Sequence, residues 1–438
     1  MEKLDVKLTT TTNSGESIVR HRLVADISEI TSRWRRELNL TNLMRDQLDS
    51  LHTDSDTVDV VAIGKASLAM ATSVESVMGE RIRRRFVVTD RLDISDSSND
   101  PTVMFGEHPI PGPASLRAAE ALLAFLGEST NATMTLFLVS GGASSLCALP
   151  SPPLTLGDMA DLWKRALEVG IDITTLNKLR AATSQIAGGA LLAHVRSARS
   201  ASMIMVDNVV SGAEWVASGL TYDFAPPPRE FERILGALSL SLTPLGTTLR
   251  RAYRNRSTSL TGPYPTLHTN IIIADPQLLL DAAVREAQLL GYRIHLMGSQ
   301  VQGDVREVCA TWSRVLRELA SDPRPHCVIG VGEVTVQVDG SGEGGRCQEL
   351  AWLMAGELAT LGREVVFAAR ASDGRDFLPG LAGGWVDRTT RSRAAAAGID
   401  VDEVTREHDS YRALHQLDQL FRGAPTGWNL CDIYIALL

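Results

Sequence analysis

The chain has 438 residues, which is too many for one ordinary hydrophobic core and predicts two domains. Hydrophobic residues make up 44% and charged residues 22% of the chain, a composition typical of a globular protein. The formal net charge of −9 argues against a nucleic-acid-binding protein, which is usually basic.

The first half of the chain alternates strand and helix signals. Apolar runs predict strands at 58–63, 86–89, 136–139 and 203–206, and helical periodicity predicts helices at 113–126, 156–170 and 176–194. Alternation of this kind predicts a largely parallel sheet that is covered by helices on both faces. Ligands of such sheets bind beyond the carboxyl ends of the strands, where the sequence places Gly64, Ser140 and Asp207.

A connector is predicted between about residues 225 and 269, because three prolines at 226–228 and the pair 262–263 break regular structure. The basic run 250–254 is typical of a solvated helix face. The alternation then resumes, with strands predicted at 270–274, 327–331, 334–338 and 365–369 and helices at 277–290, 306–319 and 348–361. We therefore expect a second α/β domain after the connector.

The cysteines and the N-terminus favour a cytoplasmic protein. The five cysteines are scattered, no pair has the short spacing of a zinc site, and the set fits a reducing compartment. The first 17 residues are polar and lack the apolar centre of a signal peptide, and no apolar run is long enough to span a bilayer. We expect no membrane and no nucleic acid among the partners.

The stretch 136–146 carries the most informative local signal. An apolar strand runs directly into Ser140, Gly141 and Gly142, and small hydroxyl residues follow where a helix would begin. The two glycines have no Cβ atom to block a ligand, and the exposed N–H groups of such a turn favour an anion such as phosphate or carboxylate. The alternative is an ordinary strand-to-helix turn.

Two further segments offer positive charge to an anion. Lys65 follows a predicted strand and could neutralise a phosphate, although Asp59 stands where a Walker A loop has its first glycine. Asn177 and Arg180 share one face of a predicted helix, and the planar arginine fork suits a carboxylate or phosphate. The alternatives are a surface lysine and a solvated helix face with ion pairs.

A glycine-rich loop in the second half delivers one arginine to the start of a helix. Residues 340–345 contain four glycines, and Arg346 follows them. A guanidinium at that place can stabilise the charge on a phosphoryl group during transfer. The alternative is a helix-starting arginine that is held by its own neighbours.

Carboxylates also follow predicted strands. Asp373 and Asp376 have a spacing that suits Mg²⁺, which is usually held by one or two carboxylates together with substrate phosphates. Asp207 and Glu333, at other strand ends, could join them or act as a base. The alternative for each is a turn or cap residue. The histidines form no metal or triad pattern, and His108 is expected to be a structural turn residue.

Taken together and in this order, these segments resemble the class II glycerate 2-kinases, the two-domain family that carries a MOFRL domain. The resemblance extends from residue 58 nearly to residue 438 and is carried by nine short motifs: Gly64-Lys65-Ala66, Gly106-Glu107-His108-Pro109, Ser140-Gly141-Gly142, Asn177-x-x-Arg180, Gly188-Gly189, Ala217-Ser218-Gly219, Gly344-Gly345-Arg346-x-Gln348-Glu349, Asp373-Gly374-x-Asp376 and Pro425-Thr426-Gly427-x-Asn429. No single motif is specific, but their common order is.

The resemblance implies an α/β fold with a Rossmann-like parallel-sheet domain over 1–260, a smaller C-terminal MOFRL-like α/β domain over 265–438, and an active site in the cleft between them. It implies transfer of the γ-phosphoryl group of ATP to a hydroxyl of a small hydroxy acid, glycerate or a related metabolite, with Mg²⁺. A homodimer is left open. The implied roles are catalysis for Lys65, Arg346 and Asp207; substrate binding for Ser140, Gly141, Gly142, Asn177 and Arg180; nucleotide binding for Gly344, Gly345, Gln348, Glu349 and Asn429; and metal binding for Asp373, Asp376 and Glu333.

The chain departs from the family pattern at several of these motifs. The second acidic pair that the family carries is absent from 206–212, and Ala187 stands in place of a lysine. Cys347 replaces an asparagine, Leu220 replaces a proline, and Trp428 is a bulky residue near the C-terminus. These changes alter the charge where substrate or nucleotide is expected, so they indicate a specialised acceptor.

Two other functional classes compete with the kinase. A catalytically altered or inactive ligand-binding protein on the same fold would also explain the missing acidic pair. An oxidoreductase is disfavoured, because no G-x-G-x-x-G turn follows the first strand. For the kinase, we expect Lys65→Ala and Arg346→Ala each to lower phosphoryl transfer strongly while the fold stays intact.

Overall fold

The computed structural model describes residues 14–51, 57–90, 100–130, 133–207, 212–259, 264–423 and 426–438. The segment 208–211, where the acidic pair is missing, residues 262–263 of the expected connector, and Pro425 lie outside the described residues. The chain divides into two compact units. The first-sheet unit comprises the described residues of 40–207 and 211–274, and the second-sheet unit comprises those of 14–39 and 275–438.

The first part of the chain contains these helices and strands: α1 (Ser14–Glu37), α2 (Leu40–Ser50), β1 (Thr57–Ile63), α3 (Ser67–Met78), β2 (Ile82–Thr89), β3 (Val103–Phe105), α4 (Pro113–Gly127), β4 (Thr133–Val139), α5 (Ala143–Leu146), α6 (Leu156–Val169), α7 (Ile173–Thr183), β5 (Arg199–Met205), α8 (Pro228–Ala237), α9 (Pro244–Ser259) and β6 (Leu267–Ala274). Short 3₁₀ helices cover Gly79–Arg81, Ala190–His194 and Ala213–Ser218.

The first sheet is fully parallel and has the strand order β3-β2-β1-β4-β5-β6. Its central strands are apolar and buried on both faces, with Val61, Phe137 and Ile204 in the core that the covering helices complete. The predicted parallel sheet is therefore confirmed. This strand order is that of a doubly wound fold, whose direction reverses between β1 and β4, and ligands of such folds bind at the carboxyl ends of the strands beside that point.

Two expectations for the first part were wrong. The helix predicted at 176–194 stops at Thr183, because Ser184 is extended and forms an antiparallel bridge with Pro150. Gly188 and Gly189 then adopt left-handed backbone angles (φ 57° and 79°) and donate their N–H groups to the carbonyls of Ser218 and Gly219. The predicted connector contains the helices α8 and α9. The basic run 250–254 does lie on a helix, α9.

The remaining elements are α10 (Pro276–Leu289), β7 (Arg293–Asp304), α11 (Val305–Leu319), β8 (His326–Thr335), α12 (Arg346–Leu358), β9 (Val366–Ala371), β10 (Leu381–Asp387), α13 (Thr390–Ala396), α14 (Val401–Glu407), α15 (Ser410–Gln416), β11 (Leu420–Arg422) and β12 (Asp432–Leu437). They form a mixed sheet with the order β11-β10-β9-β12-β8-β7, in which β7 and β8 are parallel and the other pairs are antiparallel. Trp312 packs edge-to-face on Phe367 and Tyr434 in its core.

Two strands were predicted where the structure has one. β8 runs without a break from His326 to Thr335, and Gly332 and Glu333 are paired with β7 and β12 instead of forming a turn. A Cβ atom at Gly332 would overlap the backbone of Val301, so the glycine marks the close approach of β7 and does not break the strand.

Two elements belong to the other unit from the one that the expected domain limits of 1–260 and 265–438 give them. Strand β6 pairs with β5 and so completes the first sheet. Helix α1 packs on α10 in the second-sheet unit, where Arg33 forms an ion pair with Glu286. No helix in the described ranges is both long and apolar enough to cross a membrane.

Glu107 holds the first turn of α4 and gives a stability prediction. Its carboxylate accepts hydrogen bonds from the backbone N–H groups of Ala114 and Ser115 (3.0 and 2.7 Å) and from the Ser115 hydroxyl. Partial burial opposes ionisation, but these hydrogen bonds outweigh it and lower the pKa of Glu107 to about 2. Because its folded pKa lies below the unfolded value, the stabilisation is present above about pH 4.5 and is lost as the pH falls towards 2.

We expect Glu107→Gln to lower the free energy of unfolding by about 1 kcal/mol at pH 7, the usual cost of losing a helix N-terminal acceptor. The difference from the wild type should shrink between pH 4.5 and pH 3 in urea denaturation. Glu120→Gln, an exposed position on the same helix, is the matched control and should change little. A pH-independent difference would contradict this assignment.

Candidate functional site

Three strand ends of the first sheet converge around Lys65. After β1, the backbone N–H of Lys65 donates to the Gly141 carbonyl (2.9 Å), and the N–H of Ala66 donates to the Ser140 hydroxyl (3.1 Å). The side chain of Lys65 is exposed. A Cβ atom built on Gly142 would lie 3.1 Å from Lys65 Cγ and 3.2 Å from Lys65 Cε, so the lysine side chain passes directly over the glycine turn.

Asp207, after β5, lies on the other side of that turn. A Cβ atom at Gly141 would overlap the Asp207 carboxylate, so only glycine fits there. Burial raises the pKa of Asp207, and the positive charge of Lys65 offsets only part of this effect. A carboxylate with a raised pKa next to an ammonium group is suited to accept a proton from a hydroxyl. His108 also reaches Gly142, and burial and Lys65 lower its pKa, which favours a neutral ring.

A hydrogen-bonded chain leads from the start of α5 to Arg180. The Ser144 and Ser218 hydroxyls are 2.9 Å apart, Ser218 donates to Asn177 Oδ1 (3.0 Å), and Arg180 Nη1 donates to the same oxygen (3.2 Å). The guanidinium of Arg180 stacks on the ring of Trp163, and its buried Nε has no hydrogen-bond partner. Burial lowers the pKa of Arg180 to about 10, and no carboxylate in the described residues pairs with it. Arg180 therefore has an N–H group without an acceptor, which an anion could bind.

In the second-sheet unit, Arg346 is fixed between two carboxylates. Its Nε and Nη2 donate to the two oxygens of Asp432 (2.5 and 2.9 Å), and its Nη1 is 2.9 Å from Glu333 Oε1. Asp432 is completely buried and also accepts from the Tyr434 hydroxyl (3.3 Å). A guanidinium has five N–H groups, so two remain for a further anion.

Each of the expected metal ligands has a hydrogen-bond or ion-pair partner within the protein. Asp376 accepts from the backbone N–H groups of Cys347 and Gln348 (3.0 and 2.9 Å), so it caps α12, and burial together with Asp432 raises its pKa to about 6. Glu333 pairs with Arg346, and Asp373 accepts from the N–H of Arg375. Within the described ranges, no group of three or more His, Cys, Asp and Glu side chains is arranged to hold a metal ion.

Most of the expected nucleotide-binding residues have structural partners. The Gln348 side chain is fully buried and donates to the Asp376 carboxylate and carbonyl (3.0 and 2.9 Å). Asn429 accepts from the Ser372 hydroxyl and the N–H of Cys431. Cβ atoms at Gly344 and Gly345 would overlap Ser410 and Asp376, so these glycines permit close packing, as Gly332 does. Their nucleotide contacts stay predictions.

The structure therefore brings Lys65, Asp207 and the glycine turn together, and it joins Asn177 to Arg180. It also shows residues that the sequence did not single out. Asp432 is a lone carboxylate at the start of a buried apolar strand, which is a signal that could have marked it as the partner of a buried cation. Trp428 packs edge-to-face on Trp34 of α1, with ring centroids 5.7 Å apart.

Comparison with known proteins adds a family context. A family model described as a domain of unknown function (DUF4147) matches residues 22–247, and a model described as the MOFRL family matches residues 326–432. The glycerate 2-kinase of Pyrococcus horikoshii is 29% identical to this chain over 95% of this chain and 96% of its own length. The glycerate kinase of Macaca fascicularis is 30% identical over 76% of this chain and 96% of its own.

A solved structure supports the same relationship. The crystal structure of the glycerate kinase from Thermotoga maritima matches this chain with a TM-score of 0.84 and 26% sequence identity. The match covers 95% of this chain and 100% of that one, so it includes both sheets.

Proposed function

The chain belongs to the glycerate kinase family in which a DUF4147 domain precedes a MOFRL domain, and from this we propose that it transfers the γ-phosphoryl group of ATP to the 2-hydroxyl of glycerate or a closely related hydroxy acid. The observation that carries the proposal is the convergence of Lys65, the Ser140–Gly142 turn and Asp207 at the strand ends beside the switch point of the first sheet.

In the proposed reaction, Lys65 neutralises charge on the phosphoryl group as it moves from ADP to the acceptor oxygen. Its side chain is exposed above the glycine turn, where an anion can reach it. The backbone of the turn has no side chain at Gly141 and Gly142 to hold a phosphate away. Fixed charges at a site of developing negative charge lower the barrier, because they need not reorganise during transfer.

Asp207 accepts the proton that the acceptor hydroxyl loses as its oxygen bonds to phosphorus and the bond to ADP breaks. Its raised pKa makes the carboxylate a better base than an exposed aspartate, and its position against Gly141 fixes it next to Lys65. Protonated Asp207 returns its proton to solvent after the products leave.

Arg180 binds the carboxylate of the hydroxy acid. Its guanidinium is held by Trp163 and Asn177 and has no carboxylate partner in the described residues, and its buried Nε lacks an acceptor. An organic acid would supply that acceptor. The chain Ser144–Ser218–Asn177 fixes the amide that orients the guanidinium.

Arg346 offers two N–H groups to a phosphate in this proposal, because Asp432 and Glu333 occupy the other three. Mg²⁺ would neutralise charge on the phosphates of ATP. Asp376 and Glu333 are engaged elsewhere and no ligand group of three is present in the described residues, so we assign no step to a protein-bound metal. Asp373 as a single metal ligand stays a prediction.

The direct test is ADP release from Mg²⁺-ATP with a panel of small hydroxy acids: D-glycerate, L-glycerate, glycolate, D-lactate and 3-hydroxypropionate. We expect turnover with D-glycerate or another 2-hydroxy acid and none with 3-hydroxypropionate. ADP release that no acid stimulates would overturn the proposal and favour a ligand-binding protein on the same fold.

Gly141→Ala tests the tight contact between the turn and Asp207. The added methyl group would overlap the Asp207 carboxylate, so the carboxylate must move away from Lys65. We expect kcat to fall about 10²-fold, since misplaced catalytic groups lose that much. Gly127→Ala is the matched control, because a Cβ atom there has no neighbour within 4 Å. Equal kcat values for the two variants would show that Asp207 is not held in its active position by this contact.

We propose that the chain works in the cytosol on a small molecule. The five cysteines lie in the described residues, are buried and form no disulfide, which supports a reducing compartment. The homodimer stays a prediction.

A further inference from the structure

His408 bridges two carboxylates beside the glycine-rich loop. It lies between α14 and α15 and is only 5% exposed. Its Nδ1 is 3.0 Å from Glu349 Oε1 on α12, and its Nε2 is 2.8 Å from Asp339 Oδ1, where the loop begins. His408 has left-handed backbone angles (φ 58°, ψ 38°) and caps the C-terminus of α14, where its N–H donates to the Val404 carbonyl.

The loop, residues 339–345, lies against the segment 407–411. The N–H of Gly342 donates to the Glu407 carbonyl (2.7 Å), the N–H of Ser341 donates to the Glu407 carboxylate (3.2 Å), and the N–H of Glu343 donates to Asp409 Oδ1 (3.3 Å). Three successive N–H groups of the loop, at residues 341–343, therefore bind this segment. Arg346 follows the loop directly and begins α12.

We propose that His408 is a positioning residue whose ring fastens the glycine-rich loop to helix α12 and so holds Arg346 in place for phosphoryl transfer. A ring that donates from both nitrogens satisfies two ionised carboxylates, whereas a neutral ring would turn one lone pair towards one of them. The loop attachment stands on the contacts above, and its consequence for transfer rests on the proposed function.

The surrounding charges favour the doubly protonated ring. Burial lowers the pKa of His408, but the hydrogen bonds to Asp339 and Glu349 outweigh it and raise the pKa above its ordinary value. The other charged groups around the cluster are Arg306 on α11, Arg391 on α13, and Glu407 and Asp409 on either side of His408. Because the folded pKa is raised, the attachment is complete below the unfolded pKa of about 6.5 and is lost as the pH rises through the folded value.

The experiment follows three quantities as a function of pH. Hydrogen exchange of the peptide that covers 339–345, normalised to intrinsic exchange rates, measures loop protection. A ¹³C NMR titration gives the pKa values of the histidines, and steady-state kinetics gives kcat. In the wild type we expect protection of this peptide to fall about tenfold across the pKa that NMR assigns to His408, with kcat falling over the same range. His408→Gln should show the weaker protection at all pH values and no such step in kcat.

Two further variants keep the test decisive. Asp339→Ala removes the more exposed of the two acceptors and should reproduce the weak loop protection without leaving a buried cavity. His415→Gln, an exposed histidine on α15, is the matched control and should behave as the wild type. Loop protection that is independent of pH, or equal in the wild type and His408→Gln, would overturn the inference. A pH-dependent loop in a chain that phosphorylates no hydroxy acid would support the attachment and contradict the proposed function instead.

Discussion

Replacing Lys65 with methionine is expected to lower kcat about 10²- to 10³-fold with little change in stability. The range is what one preorganised group that stabilises transition-state charge usually contributes. Stability should hold because the side chain is exposed above the glycine turn and methionine preserves its length. Steady-state ADP release and urea denaturation measure the two quantities.

Lys164→Met is the matched control for this prediction. Lys164 is exposed on α6, and its loss changes the net charge by the same amount. The KM for the hydroxy acid should change much less than kcat in Lys65→Met, because the proposed reaction has the lysine act on the phosphoryl group in transfer. A kcat for Lys65→Met within threefold of the control would remove Lys65 from the mechanism.

Arg346→Ala is expected to lower kcat at least about 10³-fold and, unlike Lys65→Met, to destabilise the protein. The catalytic loss follows from the proposed contact of this guanidinium with a phosphoryl group during transfer. The stability loss follows because Asp432, which is completely buried, would be left without its partner, at a cost of about 3–5 kcal/mol. The sequence alone had suggested that the fold would stay intact.

A double variant separates these two effects. Arg346→Ala combined with Asp432→Asn removes the unpaired buried charge, so it should recover most of the lost stability in urea denaturation but none of the lost kcat. Arg317→Ala, which breaks an exposed pair with Glu357, should cost no more than about 1 kcal/mol. If the stabilised double variant recovered wild-type turnover, Arg346 would have only a structural role.

The first sheet was largely predictable from sequence because its central strands are buried on both faces and contain continuous apolar runs, such as 60–63 in β1 and 136–139 in β4. The second sheet was less predictable from sequence. Strand β10 contains Gly383 and Gly384, and β7 contains Gly298 and Gly303, so neither has a clear apolar pattern. These two strands form because they pair with neighbouring strands, and no local sequence pattern predicts that pairing.

The residues of the candidate site also differ in how far the sequence predicts their contacts. Lys65, Ser140 and Asp207 could be placed together from the rule that strand ends of a parallel sheet share one edge. The contacts of the polar residues of α12 could not be predicted, because their partners are distant in sequence. Gln348 binds Asp376, 28 residues away, and Glu349 binds His408, 59 residues away. A buried polar side chain needs a partner, but the sequence does not say which one.

The most direct test of the central claim is ³¹P NMR of the product that forms from D-glycerate and Mg²⁺-ATP with catalytic amounts of the protein. A 2-hydroxyl acceptor held by Arg180 at its carboxylate and facing Asp207 predicts 2-phosphoglycerate, formed in step with ADP. Formation of 3-phosphoglycerate, or ADP and inorganic phosphate without a phosphorylated acid, would contradict the proposed arrangement of the site.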